Sequence, residues 1–284
     1  FPAMAAALLL QTVLFGFGGL TAWGANVVNM AIPAVLCYYV FGWGMDFEGY
    51  WRNLPAIYAL ADIDARKAAL GYHSLFQVLI AGVSGAFLTG DLFNVFVFLE
   101  ISALSSYALI SMGGDRRALT AAFQYLILGT IGATFILIGI GFLYMMTGTL
   151  NMQDLAQRLP AVADTRTVRA GFAFLTIGIG LKLALFPLHL WLPNAYAYAP
   201  SMVTAFLAAT ATKVAVYALL RFLLSVFGIE FSLINMPLDL ILMVLGIAAI
   251  LSASLVAVFQ EDVKRMLAYS SVAQIGYMVL GISL

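Results

Sequence analysis

The stretch Gly180–Tyr196, GLKLALFPLHLWLPNAY, is an apolar run that contains one lysine, one histidine and two prolines. A proline inside an apolar helix removes a backbone hydrogen bond and breaks or kinks the helix. Within a bilayer, irregular backbone is tolerated only where it is buried in protein or lines a cavity, and ion sites are built at such breaks. The stretch therefore predicts a broken membrane helix beside Lys182, followed by a short connection bounded by Pro193 and Pro200.

The composition places the whole chain in a membrane. Of its 284 residues, 64% are hydrophobic and only 9% are charged, whereas soluble domains carry about 25% charged residues. The 13 basic and 13 acidic residues cancel, which argues against a nucleic-acid partner. A single cysteine, Cys37, excludes a disulfide framework and a thiolate metal cluster, and no phosphate-binding GxxxxGK[ST] motif is present. We therefore expect an all-α polytopic membrane protein with no cofactor and no metal.

About 20 apolar residues cross a bilayer as a helix, and this length divides the chain into about nine spans. The predicted spans are 4–22, 25–44, 69–90, 91–112, 118–147, 170–190, 201–228, 234–260 and 267–284. The segment Asn151–Leu159 is typical of an amphipathic helix on the membrane surface that ends before Pro160. Because the chain starts without methionine and stops inside an apolar run, we expect it to be a fragment of a longer protein.

The basic loop residues predict the orientation. If the spans alternate, loops 45–68, 113–117 and 261–266 share one side and carry seven Lys or Arg residues, against four on the other side. Since basic loops stay in the cytoplasm, the first side is predicted to be cytoplasmic, in the inner (plasma) membrane.

Three charged residues lie well inside predicted spans, away from their ends: Glu100, Lys182 and Lys213. A charge at the centre of a lipid-exposed helix costs about 3 kcal/mol, so these side chains must face protein or water. Two lysines cannot both be paired with one carboxylate, and an unpaired buried ammonium releases its proton readily. The imbalance favours a proton relay, with His189 as a candidate for loading it. The alternatives are a pair that only locks helices together and a histidine that is only hydrogen-bonded at the interface.

Three long motifs resemble one family. They are Thr89–Glu100 (TGDLFNVFVFLE), Gly180–Tyr196, and Gln260–Met278 (QEDVKRMLAYSSVAQIGYM). They resemble the antiporter-like, proton-conducting subunits of Mrp-type cation/proton antiporters, respiratory complex I and membrane-bound hydrogenases. The wording is closer to the D-type antiporter subunit and the hydrogenase subunits than to complex I. The resemblance implies two inverted five-helix repeats, each with one broken helix. Residues 69–228 would form the first repeat and 229–284 the start of the second.

The same resemblance assigns roles to individual residues. Glu100 falls on the family's helix-five glutamate, Lys182 on the helix-seven lysine that it partners, and Lys213 on the helix-eight relay lysine. The expected partners are other membrane subunits of a hetero-oligomer, the lipid bilayer, protons and Na⁺.

The amino-terminal residues fit another pattern. Leu8–Pro33, LLLQTVLFGFGGLTAWGANVVNMAIP, resembles the membrane component of cobalt/nickel uptake permeases, over about residues 5–41. That family often has histidine where Phe17 stands, and its amino-terminal metal-binding residues are not in this sequence, so we expect no metal site here. We predict a two-helix segment over 1–45 and a polar loop over 46–68.

The sequence thus favours a transporter subunit rather than a catalytic enzyme: a proton-translocating subunit of a multisubunit Na⁺/H⁺ antiporter. One alternative is a proton-pumping subunit of a redox complex, either an NADH-quinone oxidoreductase or a membrane-bound hydrogenase. The others are a divalent-metal permease component and a scaffolding subunit.

Overall fold

Nine α-helices form the part of the protein that the computed structural model describes, which is residues 63–284 without the side chains of 63–70 and of His73. They are α1 (Ile63–Leu88), α2 (Leu92–Ser111), α3 (Arg116–Thr147), α4 (Met152–Arg158), α5 (Arg166–Leu183), α6 (Trp191–Tyr198), α7 (Ser201–Leu220), α8 (Leu238–Val258) and α9 (Val263–Ser283). Two π-helical turns, Arg221–Val226 and Glu230–Asn235, lie between α7 and α8. The predicted all-α fold is confirmed.

Five of the predicted spans correspond to helices that are long and apolar enough to cross a bilayer. These helices are Leu92–Ser111, Arg116–Thr147, Ser201–Val226, Leu238–Val258 and Val263–Ser283. Helix α1 begins at Ile63, upstream of the predicted start at 69, and its apolar part is Ser74–Leu88. The predicted spans 4–22 and 25–44 lie outside the described residues.

The span predicted over 170–190 is interrupted, as its proline suggested. Helix α5 ends at Leu183, and the chain turns before α6 begins at Trp191. Pro193 does not bound a connection as expected, because it lies inside the first turn of α6. A proline is compatible with that position, since the N–H groups of a first helical turn have no partner within the helix.

One end of the bundle is tied together around α4. The connection before α2 pairs with the connection before α4, through Leu92 N–H to Leu150 O (2.8 Å) and Met152 N–H to Gly90 O (2.9 Å). Helix α4 is the predicted amphipathic helix, and it buries Met152 and Leu155. Its Arg158 donates a hydrogen bond to Asp154, which lowers the pKa of that carboxyl. We call this the α4 end.

The opposite end joins the connections before α3, α7 and α9. Lys264 Nζ donates to Ala199 O (3.1 Å), and the Arg117 guanidinium lies 5.9 Å from the centre of the Tyr198 ring. Loops 113–117 and 261–266 therefore share one end, as predicted. We call this the Arg116 end.

Glycines bring α3 and α5 close together. A Cβ atom built on Gly178 of α5 would lie 2.7 Å from Gly132 O of α3, and one on Gly139 would lie 2.9 Å from Gly171 O. Small residues at such positions allow membrane helices to pack backbone against backbone. This packing fixes the position of α5 along α3 one turn before Lys182.

Candidate functional site

The centre of the site is an ion pair between two helices. Lys182 Nζ donates to Glu100 Oε1 at 2.6 Å, and their side chains are 8% and 19% exposed. Glu100 is the ninth of the twenty residues of α2, so it lies about 12 Å from the helix start and near mid-depth. Lys182 is in the last turn of α5. Each charge offsets the desolvation of the other, which allows both to be ionised at this depth.

The carboxyl end of α5 is built around an alanine in the left-handed conformation. Ala184 has φ 60° and ψ 42°. Its N–H donates to Leu181 O (3.2 Å), and the next N–H, of Leu185, donates to Gly180 O (2.9 Å). This pair of bonds is a Schellman motif, which ends a helix and satisfies carbonyls that would otherwise be unpaired. The motif holds the backbone of Lys182 immediately before the break.

Trp191 closes the other side of the break. Its Nε1–H donates to Leu181 O at 3.0 Å, so the carbonyl adjacent to Lys182 accepts two hydrogen bonds. The indole is 2% exposed and stacks on Tyr125 of α3, with ring centres 3.9 Å apart and planes 3° from parallel. Tyr107 of α2 packs edge-on against Tyr125 at 4.6 Å. Aromatic packing therefore connects α2, α3 and α6 around the ion pair.

Lys213 lies apart from that pair. It is half-buried in α7, and its Nζ donates to Ala208 O, one turn earlier in the same helix. Within residues 71–284, apart from residue 73, no carboxylate forms an ion pair with it. Lys213 is therefore a half-buried lysine without a carboxylate partner among the described side chains.

His189 lies in the turn between α5 and α6. It is 9% exposed, and its ring stacks with Phe186 at 5.3 Å. Among the described side chains, the hydrogen bonds of Glu100, Lys182 and Lys213 do not include His189. The structure therefore brings two of the four predicted site residues into contact.

Two residues at the break, Trp191 and Asn194, are not among the site residues predicted from the sequence. Asn194 Nδ2 donates to Gln124 Oε1 of α3 at 3.2 Å, which fastens α6 to α3. A signal for Trp191 exists in the sequence: a helix that ends in an apolar environment leaves carbonyls that need donors, and Trp is a donor-only side chain. It is the first side-chain N–H donor after Pro187 apart from His189.

Comparison with known proteins shows two matches along the chain. Residues 89–284 match the family described as NADH:quinone oxidoreductase/Mrp antiporter, TM. Residues 1–114 match the cobalt uptake substrate-specific transmembrane region, which extends well beyond the predicted 5–41. Residues 89–114, which include α2, match both.

Individual relatives support the first match. The chain is 52% identical over 215 residues to the N-type subunit of the NADH-quinone oxidoreductase of Desulforudis audaxviator, covering 75% of this chain and 42% of that protein. It is 34% identical over 227 residues to the D-type subunit of the Na(+)/H(+) antiporter of Alkalihalophilus pseudofirmus, covering 80% and 45%. The chain therefore spans under half the length of these relatives.

A solved structure shares the fold. It is the membrane-bound sulfane sulfur reductase, an archaeal respiratory membrane complex, with a TM-score of 0.68 and 38% identity, covering 74% of this chain and 42% of that one. The predicted resemblance to antiporter-like subunits is confirmed by these comparisons. Because the family match covers more than half of its residues, the chain belongs to the NADH:quinone oxidoreductase/Mrp antiporter transmembrane family.

Proposed function

We propose that the protein is a proton-translocating membrane subunit of a multisubunit Na⁺/H⁺ antiporter, in the plasma membrane and among other membrane subunits. The observation that carries the proposal is the 2.6 Å ion pair between Lys182 and Glu100 at mid-depth, next to a broken helix. Ionisable residues inside membrane helices mark proton and ion pathways, because a charge at that depth is costly and is retained where function needs it. The name of the antiporter relative supports Na⁺ as the exchanged ion.

The pair acts as a proton switch in this proposal. While Glu100 is ionised and close, it stabilises the Lys182 ammonium. When the carboxylate moves away or takes up a proton, the buried ammonium loses its counter-charge and releases its proton. Lys213 is the proposed next acceptor, because in the described part of the chain its Nζ bonds a carbonyl of its own helix and no carboxylate, so it can receive a proton without breaking an ion pair. His189 is the proposed loading group at the break.

Transport in vesicles tests this proposal. The Lys182→Ala variant of the full-length subunit, in its assembled complex, is expected to lose Na⁺-dependent proton movement, with the complex still assembled. Glu100→Ala is expected to have the same effect. Its matched control is Glu230→Ala, because Glu230 is exposed and far along the chain from the break. Normal transport in both site variants would refute the relay.

A second function, proton pumping within a redox complex, is favoured by the relative with 52% identity, which is named for an NADH-quinone oxidoreductase. The same relay would then be driven by electron transfer in other subunits. Purification of the native complex distinguishes the two: co-purifying iron-sulfur proteins indicate the redox complex, and their absence together with Na⁺-driven proton exchange indicates the antiporter.

A third function, divalent-metal uptake, is suggested by the match of residues 1–114 to a cobalt uptake region. Cobalt uptake that persists after removal of residues 69–284 would favour it. Loss of proton transport in the same truncation would show that the two activities belong to different parts of the chain.

A further inference from the structure

A cavity of about 550 Å³ opens beside the broken helix, between α3, α6 and α9. Its lining includes Gln124 and Ile127 of α3, Trp191 and Asn194 of α6, and Arg265 and Tyr269 of α9. Hydrogen-bonding groups come from Gln124, Asn194 and Tyr269, and Arg265 contributes the positive charge. No carboxylate is part of the lining, among the described residues.

Arg265 lacks a counter-charge there. Its Nε is shielded from solvent and has no hydrogen-bond partner among residues 71–284. None of the ion pairs in this part of the protein includes it. Lys264, its neighbour, differs because its ammonium is bonded to Ala199 O. A guanidinium partly withdrawn from water is stabilised by an acceptor with negative charge, and its planar set of donors fits phosphate oxygens.

The cavity wall continues into apolar surface. Phe123, Ile127 and Leu190 line it and are 60%, 44% and 71% exposed. Arg265 is the third residue of α9, whereas Gln124 lies eight residues into α3, about 12 Å from its start. The cavity therefore has a charged mouth at the Arg116 end and apolar walls toward mid-depth. A free phosphate would gain nothing from those walls, but the acyl chains of a lipid would.

We propose that this cavity binds a phospholipid with an anionic headgroup, whose phosphate contacts Arg265. Basic pockets between membrane helices are suited to anionic lipid headgroups. The site does not depend on proton translocation, since none of its contacts involves Glu100, Lys182 or Lys213. It does share Trp191 with the break, so the bound lipid touches the side chain that holds the carbonyl adjacent to Lys182.

Lipid retention measures this binding directly. The complex is purified from nanodiscs that contain equimolar phosphatidylcholine and phosphatidylglycerol, and the lipids bound to it are counted by native mass spectrometry. Arg265→Gln is expected to lower phosphatidylglycerol retention about tenfold, the scale of one charge-assisted contact, while phosphatidylcholine is unaffected. Arg116→Gln is the control, because Arg116 is exposed at the same end and does not line the cavity.

A second pair of variants leaves the charge in place. Ile127→Trp fills the cavity from its exposed side, whereas Ile131→Trp adds the same bulk one turn later, outside the lining and at a similar exposure of 42%. Only Ile127→Trp is expected to lower phosphatidylglycerol retention. This pair decides the question if Arg265→Gln does not fold.

Four results would overturn the proposal. Equal losses in Arg265→Gln and Arg116→Gln would indicate diffuse surface attraction, and no loss in either would leave the cavity without a lipid. Equal retention of phosphatidylcholine would show that headgroup charge is not recognised. Displacement of phosphatidylglycerol by inorganic phosphate alone would indicate a phosphate site rather than a lipid site.

Discussion

Glu100 and Lys182 compensate each other's charge, because each is the other's only ion-pair partner in the described residues. Removing one member of a buried pair strands a charge and costs about 3–5 kcal/mol, whereas replacing both with neutral groups is often nearly neutral. Replacing both residues is therefore expected to abolish proton transport while preserving the stability of the fold.

The double variant Glu100→Gln/Lys182→Met exploits that separation. Glu100→Gln alone is expected to lower the unfolding temperature in detergent, and the double variant is expected to restore it while proton transport stays absent. Recovery of transport along with stability would show that the pair only locks helices together.

Trp191 is a positioning residue, since it bonds Leu181 O and not the charged groups themselves. Trp191→Phe removes the N–H and keeps a ring against Tyr125, so it is expected to cost about 1 kcal/mol of stability. It should also alter the pH dependence of proton transport, because the carbonyl before Lys182 keeps only one of its two hydrogen bonds.

Tyr125→Phe is the matched control for Trp191→Phe, because it keeps the stacked ring and removes only a hydroxyl. It is expected to leave transport near the unmodified level. An unchanged pH profile in Trp191→Phe, despite lower stability, would limit the indole to a structural role.

At the scale of elements, the glycines of α5 set its position along α3. Gly178→Ala would place a methyl group 2.7 Å from Gly132 O and force the helices apart, at a cost of about 1–3 kcal/mol. Gly180→Ala, two residues on, meets its nearest side-chain atom at an ordinary 3.5 Å. Thermal unfolding and vesicle transport should both fall in the first variant and remain close to normal in the second. Comparable losses in the two would mean that close packing does not position Lys182.

The break offers a gain of stability at Ala184. Its positive φ is strained for a residue with a Cβ, by about 1–2 kcal/mol, and glycine adopts it freely. Ala184→Gly is expected to raise or maintain the unfolding temperature, and Ala184→Val, which is β-branched, to lower it. A lower temperature for the glycine variant would contradict the Schellman geometry described for α5.

For the whole molecule, the orientation in the membrane is predicted from the number of basic residues at each end. The described part has four basic side chains at each end: Arg116, Arg117, Lys264 and Arg265 at one, and Arg158, Arg166, Arg169 and Arg221 at the other. The predicted excess thus comes from Arg52, Arg66 and Lys67, whose side chains lie outside the described residues.

Labelling with an impermeant maleimide decides the orientation. In a Cys37→Ala background, the Asp164→Cys variant at the α4 end is expected to react in intact cells. The Asp115→Cys variant at the Arg116 end should react only after permeabilisation. The reverse pattern would place the Arg116 end outside.

The sequence predicted the crossing helices because apolar length is read directly from composition, and it predicted Glu100 and Lys182 because charge in lipid is costly. Contacts between segments that are distant in sequence could not be predicted in the same way. The bond from Trp191 to Leu181 O and the Asn194–Gln124 bond depend on how α6 turns after the break. Proline indicates such a turn without specifying its direction, which is why the sequence predicts a connection at Pro193 where the structure has a helix.

The mid-depth position of the Glu100–Lys182 pair has an electrical consequence. A unit charge that crosses the whole bilayer exchanges about 2.3 kcal/mol per 100 mV with the membrane potential. A proton that arrives at the pair has traversed about half of that field, so about 1 kcal/mol per 100 mV is exchanged before Lys182 and a similar amount after it. The membrane potential would then affect both the protonation and the deprotonation of Lys182, because each step moves charge through about half of the field.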